Sequence, residues 1–154
     1  MVRRFLLPLL LVAALLLPRW ATAHDLFPGF LELEASGPSN YQMLWKLPLL
    51  QGQELPIAPR FPDDCALNGD WATRREARAL VYRAQLRCRE PLEGRAISID
   101  GLAGAGTEVL LRVKAWRSDS PQTLLIQPER PSAVIPTASE ADAQPGAWSY
   151  LRLG

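Results

Sequence analysis

The chain has one histidine, two cysteines and two methionines among 154 residues, and of its 17 basic residues only Lys46 and Lys114 are lysines. A single imidazole, His24, leaves one candidate base for a Ser-His-Asp or Cys-His arrangement. It lies near the N-terminus, away from the body of the chain. A secreted copper-dependent oxidative enzyme that begins on a histidine ordinarily needs a second imidazole, which is absent here. The cysteines lack the CxxC spacing that marks a thiolate metal site. The longest uncharged apolar run, Phe5 to Pro18, is 14 residues, short of the ~20 that span a bilayer as a helix. No internal repeat is visible. The phrase GLAGAG (101–106) lacks the Lys-Ser/Thr of a phosphate loop, and TEVLLRVKAW after it alternates like a strand, so a hairpin turn is expected there. The chain is therefore read as non-catalytic.

What is there begins with a leader. Arg3 and Arg4 precede the apolar run, and Ala21-Thr22-Ala23 supplies an A-x-A-type cleavage site. Residues 1–23 are expected to be a signal peptide, with an uncleaved anchor as the alternative. Cleavage makes His24 the first residue, with an α-amine of pKa roughly 7.7–8.0 beside its imidazole. That pair of nitrogens can chelate one metal ion, and imidazole suits nickel, copper and zinc. His24 and the adjacent Asp25 are thus candidate metal ligands, with nickel or copper the candidate cofactor and Glu32 or Glu34 the candidate further donors. Against this, any residue can follow a cleavage site.

Residues 24–154 are one domain's worth of chain. They keep 14 of the 17 Lys+Arg and all 16 Asp+Glu, a formal charge near −2, which gives no bias toward nucleic acid. In an exported chain the even pair Cys65 and Cys88, with 22 residues between them, is read first as a disulfide. Closing such a loop stabilises a domain by about 3 kcal/mol in the loop-entropy picture. A two-thiolate metal site is the alternative.

Period-two alternation dominates the chain. Leu31, Leu33 and Ala35 oppose Glu32 and Glu34; Tyr41, Met43, Trp45 and Leu47 share a face until Pro48 ends the strand. Prolines make 54–64 an irregular edge crossing. Tyr82, Ala84, Leu86 and Cys88 point inward, against Arg83, Gln85 and Arg87. Ile97 and Ile99 form one pair, and Val109, Leu111, Val113 and Ala115 one face, with TLLIQP and SAVIP following. REARAL (75–80) reads as either a helical turn or part of a strand. About seven short strands with a turn signal roughly every ten residues predict an all-β fold, an antiparallel immunoglobulin-like β-sandwich over residues 24–136. From Thr137 the chain turns small and polar, then ends in WSYLRLG. Residues 137–154 read as a linker and a candidate juxtamembrane segment, since Trp and Tyr beside Arg suit the head-group level; a frayed C-terminal strand is the alternative.

Glu32 and Glu34 stand about 7 Å apart by the strand rise, within the range of glycosidase carboxylates, although solvent-facing glutamates on a strand are far commoner. The arginines at 74, 75, 78, 83, 87, 89 and 95, offset by Glu76, Glu90 and Glu93, suit either anionic head groups or a partner, or simply the wetted face of a strand.

The phrases AHDLFPGFLELE, YQMLWKLP, the Cys65–Cys88 interval containing Trp71, ISIDGL, EVLLRV and WSYLRLG occur here in order. In this order they resemble the N-terminal extracytoplasmic domain of HupE/UreJ-type membrane proteins, relatives of nickel/cobalt permeases. In that family a phrase like YLRLG leads into a His- and Asp-bearing membrane helix, whereas this sequence stops at Gly154. The resemblance implies a periplasmic domain, tethered to the inner membrane through a membrane region or a membrane-protein partner, with an accessory or sensing role and an association with metal. A fragment of a longer protein and a free-standing periplasmic relative both fit. A protein-interaction module with no metal role is the alternative function.

Overall fold

The computed structural model describes residues 27–118 and 120–137, apart from the side chains of residues 70 and 71. The leader, His24, Asp25 and most of the 137–154 segment lie outside the described residues.

Alternating apolar residues commit most of this chain to strands with one dry face. The described residues form ten of them: β1 (Gly29–Gly37), β2 (Asn40–Leu50), β3 (Gln53–Glu54), β4 (Ala58–Arg60), β5 (Ala66–Arg75), β6 (Ala79–Arg87), β7 (Ala96–Asp100), β8 (Val109–Lys114), β9 (Gln122–Ile126) and β10 (Ser132–Val134), with a single 3-10 turn at Leu102–Gly104. Seven are five residues or longer; six of these match the alternating phrases of the sequence, β5 was not expected, and the expected SAVIP strand is the short β10. The other three are two- or three-residue pieces, too short to show a period.

The larger sheet runs β5-β6-β2-β1-β8-β9, with β3 added beside β2, and the smaller runs β10-β7-β4. Every pairing between these strands is antiparallel except β1 with β8, which is parallel. The chain is an all-β sandwich, as the alternation predicts. Leu31 and Leu33 of β1, Tyr41, Met43, Trp45 and Leu47 of β2, Leu86 of β6, and Val109, Leu111 and Val113 of β8 present one buried face. Ile97 and Ile99 of β7, with Ile57, Leu92, Leu102 and Ile135, join the same core from the other side. Each fully buried Leu or Ile contributes roughly 1.5–3 kcal/mol by leaving water, and period two delivers them all to one side of the sheet.

Three local expectations change. Pro48 does not end β2, which runs on to Leu50. Leu49 N–H donates to the Arg78 carbonyl on the β6 side (2.9 Å), so the nitrogen of Pro48 faces the opposite edge, where β1 pairing has already stopped at Lys46. A missing N–H costs nothing where no acceptor waits. Second, GLAGAG is not a hairpin: it carries the chain from β7 in the small sheet to β8 in the large one. Gly101 allows that crossing. Its φ is +77°, and a Cβ there would lie 2.1 Å from the Pro56 carbonyl oxygen. Third, the irregular 54–64 stretch contains part of β3 and all of β4, and it moves the chain between sheets in the other direction. Neither reading of REARAL holds whole: the phrase is the tight β5–β6 turn, with strand only at its two ends and Glu76 N–H donating to the Ala79 carbonyl (2.8 Å).

Cys65 and Cys88 flank the paired ends of β5 and β6, one step beyond Ala66 opposite Arg87. Their sulfurs stand 2.08 Å apart, at disulfide distance. Beside them the Asp64 carboxylate accepts from both Arg95 guanidinium nitrogens and from the backbone N–H of Arg89 (3.2 Å) and Glu90 (3.4 Å). The Arg95 hydrogen bond above all holds Asp64 well below the usual carboxylate range. At this same end Gly94 N–H donates to the Ile135 carbonyl and Gly94 meets Thr137. Phe27 lies at the opposite end, under Arg78 of the β5–β6 turn. The described chain thus enters at one end of the sandwich and leaves at the other.

Candidate functional site

The small sheet covers one face of the large sheet, and no second layer of described residues covers the other, so the residues alternating with the core define a second surface. Register decides which of them become neighbours. Lys114, Glu34, Gln42, Gln85 and Asn68 form one row across β8, β1, β2, β6 and β5. Arg112, Glu32, Leu44, Arg83 and Ala72 form the next. Between the rows β5 bulges: three of its residues, 69–71, stand opposite Ala84 alone, because Asn68 pairs with Gln85 and Ala72 with Arg83. Gly69 allows the bulge with φ +87° and open space where a Cβ would stand. Bulges of this kind bend a strand and re-aim its side chains.

The result is a trough of about 710 Å³ lined by Glu32, Glu34, Gln42, Asn68, Arg83 and Gln85, among others. The acids form its β1 wall and are already engaged. Glu32 meets Arg112 at 3.5 Å, and Glu34 meets Lys114 at 3.0 Å. Exposed pairs of this type are worth about 0–1 kcal/mol, so they are easily shared with a ligand. No hydrogen bond joins the side chains of Gln42, Gln85 or Asn68 to another described residue, and Arg83 has no ion pair within 4 Å among the described residues. The trough therefore holds three side-chain amides in one row, with a guanidinium at the far wall.

This geometry does not suit the glycosidase reading of Glu32 and Glu34. An acid and a nucleophile need unlike surroundings, whereas both glutamates are solvent-facing and paired to cations on β8. The seven arginines do not converge either. Arg74 and Arg83 lie on the open face, Arg75 donates to the Gly52 carbonyl (3.0 Å), Arg78 sits 5.0 Å from the Phe27 ring centroid, and Arg87 donates to Asn40 Oδ1 (3.1 Å). Arg95 is spent on Asp64, with Arg89 beside it. Arg75, Arg87 and Arg95 serve as local fasteners, and Arg83 stays available on the open face.

At the opposite end from the disulfide, Phe27, Pro28, Pro48, Ala77 and Ala79 line a smaller apolar pocket of about 290 Å³. Phe27 and Leu50 are exposed there, and the Lys46–Glu76 pair (2.7 Å) rims it. The metal reading of His24 and Asp25 falls outside the described residues. Among the described residues no three His, Cys, Asp or Glu side chains gather as a cation site, and no helix is long and apolar enough to cross a membrane. No family model and no curated protein matches the chain.

The grouping of Gln42, Gln85, Asn68 and Arg83 was missed by the sequence reading. Alternation showed that Gln85 and Arg83 face outward, but the β5 bulge and the β2–β6 register that gather them leave no local signal.

Proposed function

We propose that this chain is a non-catalytic extracytoplasmic domain, accessory or sensing, of a HupE/UreJ-type membrane protein, and that its N-terminal His24, with Asp25, offers a nickel or copper site. The observation that carries the reading is the Cys65–Cys88 pair, at disulfide distance at the end of the β5–β6 ladder. Such pairs persist in oxidising compartments, which agrees with the leader and with the order of phrases shared with that family. In this reading signal peptidase cuts after Ala23, and the new α-amine and imidazole of His24 chelate the metal. Phe27, three residues on, is anchored under Arg78, so the metal would sit at the Phe27 end of the sandwich. A membrane region following Gly154 would attach from the other end, where Thr137 leaves. The domain would then present its metal outward from the bilayer.

The test is expression with the native leader, recovery from the periplasm, N-terminal sequencing, and calorimetric titration with Ni²⁺ and Cu²⁺. A mature protein starting at His24 whose binding disappears in His24→Ala supports the reading. A different N-terminus, or equal affinity in the variant, defeats the metal site. A second reading, a protein-interaction module without metal, draws on the exposed Phe27 and Leu50 beside the apolar pocket. It predicts that a membrane partner is retained by His24→Ala and lost in a Phe27→Ser, Leu50→Ser double variant.

A further inference from the structure

We propose that the trough on the open face of the large sheet is a binding site for a short peptide with free termini. The proposal needs neither the metal site nor a membrane tether. It rests on three features of the trough. The first is charge placement. Arg112 and Lys114 are matched to Glu32 and Glu34, whereas Arg83 has no close ion pair among the described residues and feels Glu76 only at longer range, so one end of the ligand is a carboxylate. The glutamates, across β2 on β1, keep acceptor positions for an ammonium, because a carboxylate can accept about four hydrogen bonds. The second is span. Glu34 and Arg83 lie two strands apart and one row along, which at 4.7–4.9 Å per strand and two residues of strand rise separates their Cα atoms by roughly 12 Å. An extended tri- to tetrapeptide covers that distance at up to ~3.6 Å per residue. The third is the floor. Gln42, Gln85 and Asn68 each offer a donor and an acceptor, the same complement that a peptide unit carries.

The lining also argues against the obvious rival. Saccharide recognition leans on an aromatic ring beneath the sugar, and among the described residues that line the trough there is no Trp, Tyr or Phe. Gly69 belongs to the same design: at its own position the bulge of β5 brings no side chain to the trough.

Triglycine is the probe, with N-acetyl-triglycine amide as the control that keeps the peptide units and removes both charges. Amide resonances are followed by 15N–1H NMR in the wild-type protein and in Arg83→Gln, Glu34→Gln and Gln85→Ala. All three positions are solvent-facing, and equal thermal midpoints confirm that the variants fold. Triglycine should shift residues 42, 68, 83 and 85 saturably, and the capped peptide should leave them in place. Arg83→Gln should weaken binding about tenfold or more, the size of one charge-assisted hydrogen bond, and Glu34→Gln by severalfold. Equal binding of the capped peptide, unchanged affinity in Arg83→Gln, or shifts confined to other surfaces would overturn the proposal. Chitotriose moving the same resonances while triglycine leaves them still would assign the trough to a saccharide and overturn it equally.

Discussion

Replacing Gly101 with alanine tests how the two sheets are joined. The residue sits at φ +77° between β7 and the 3-10 turn, and its missing side chain is occupied by the Pro56 carbonyl oxygen, 2.1 Å from where a Cβ would stand. Two costs arise. Holding an alanine in the left-handed region costs about 1–2 kcal/mol. The second cost is displacement: the obstacle is backbone, so the segment through Pro56 and Ile57 must retreat by about 1 Å. Ile57 is buried at 5% exposure and Leu102 at 1%. Partly uncovering either forfeits a share of the ~1.5–3 kcal/mol that its burial supplies. The total is about 3 kcal/mol or more. Gly52 supplies the control, with φ +80° and nothing within 4 Å of its would-be Cβ. Gly52→Ala carries the first cost and not the second, offset in part by the lower entropy of the unfolded chain, for a net loss near 1 kcal/mol. Urea unfolding followed by far-ultraviolet circular dichroism compares the two. If both variants lose the same stability to within about 0.5 kcal/mol, the close approach of the strap at Pro56 carries no weight and the reasoning fails.

Cys65→Ser with Cys88→Ser should lower unfolding free energy by about 3 kcal/mol, from the loop entropy of the 23-residue separation; an unchanged urea midpoint would refute it. Asp64 has a folded-state pKa held low, first by Arg95. Its contribution is therefore complete above its unfolded value near 3.9 and is lost as pH falls below that toward the folded value. The wild-type urea midpoint should drop more between pH 5 and 2 than that of Asp64→Asn, and parallel profiles would contradict the assignment. Tyr41→Phe removes the oxygen that accepts from the buried Leu92 N–H (2.9 Å). An orphaned donor of this kind costs about 1–3 kcal/mol, measurable by the same unfolding assay.

Much of the wall of the trough was readable one residue at a time. Glu32, Glu34, Arg83 and Gln85 alternate with Leu31, Leu33, Tyr82, Ala84 and Leu86, and period two alone sends them outward. Their company was not readable. Asn68 joins Gln85 only because β5 absorbs three residues opposite one, and the glycine that permits this, Gly69, looks like any turn glycine in the sequence. The sequence does not mark β5 itself as a strand, because its bulge at 69–71 interrupts the alternation, whereas SAVIP reads as one and holds the three-residue β10. The short strands β3 and β4 escaped for a different reason. Two or three residues cannot display a period, and each is a strand only because a longer neighbour pairs with it.

By itself the sequence determined which residues of the long strands other than β5 face the core, that the fold is all-β, and that its cysteines form an even pair. These are local properties, set by side-chain alternation and composition. Tertiary structure alone decided the lateral order of the strands. β1 lies between β2, its hairpin partner, and β8, some seventy residues away and parallel to it. That choice depends on where the chain can cross between sheets, at the proline-bearing strap and at Gly101, and on how two apolar faces seal each other. It is the crossing points and the seal, distant in sequence and close in space, that set Lys114, Glu34, Gln42, Gln85 and Asn68 in a single row.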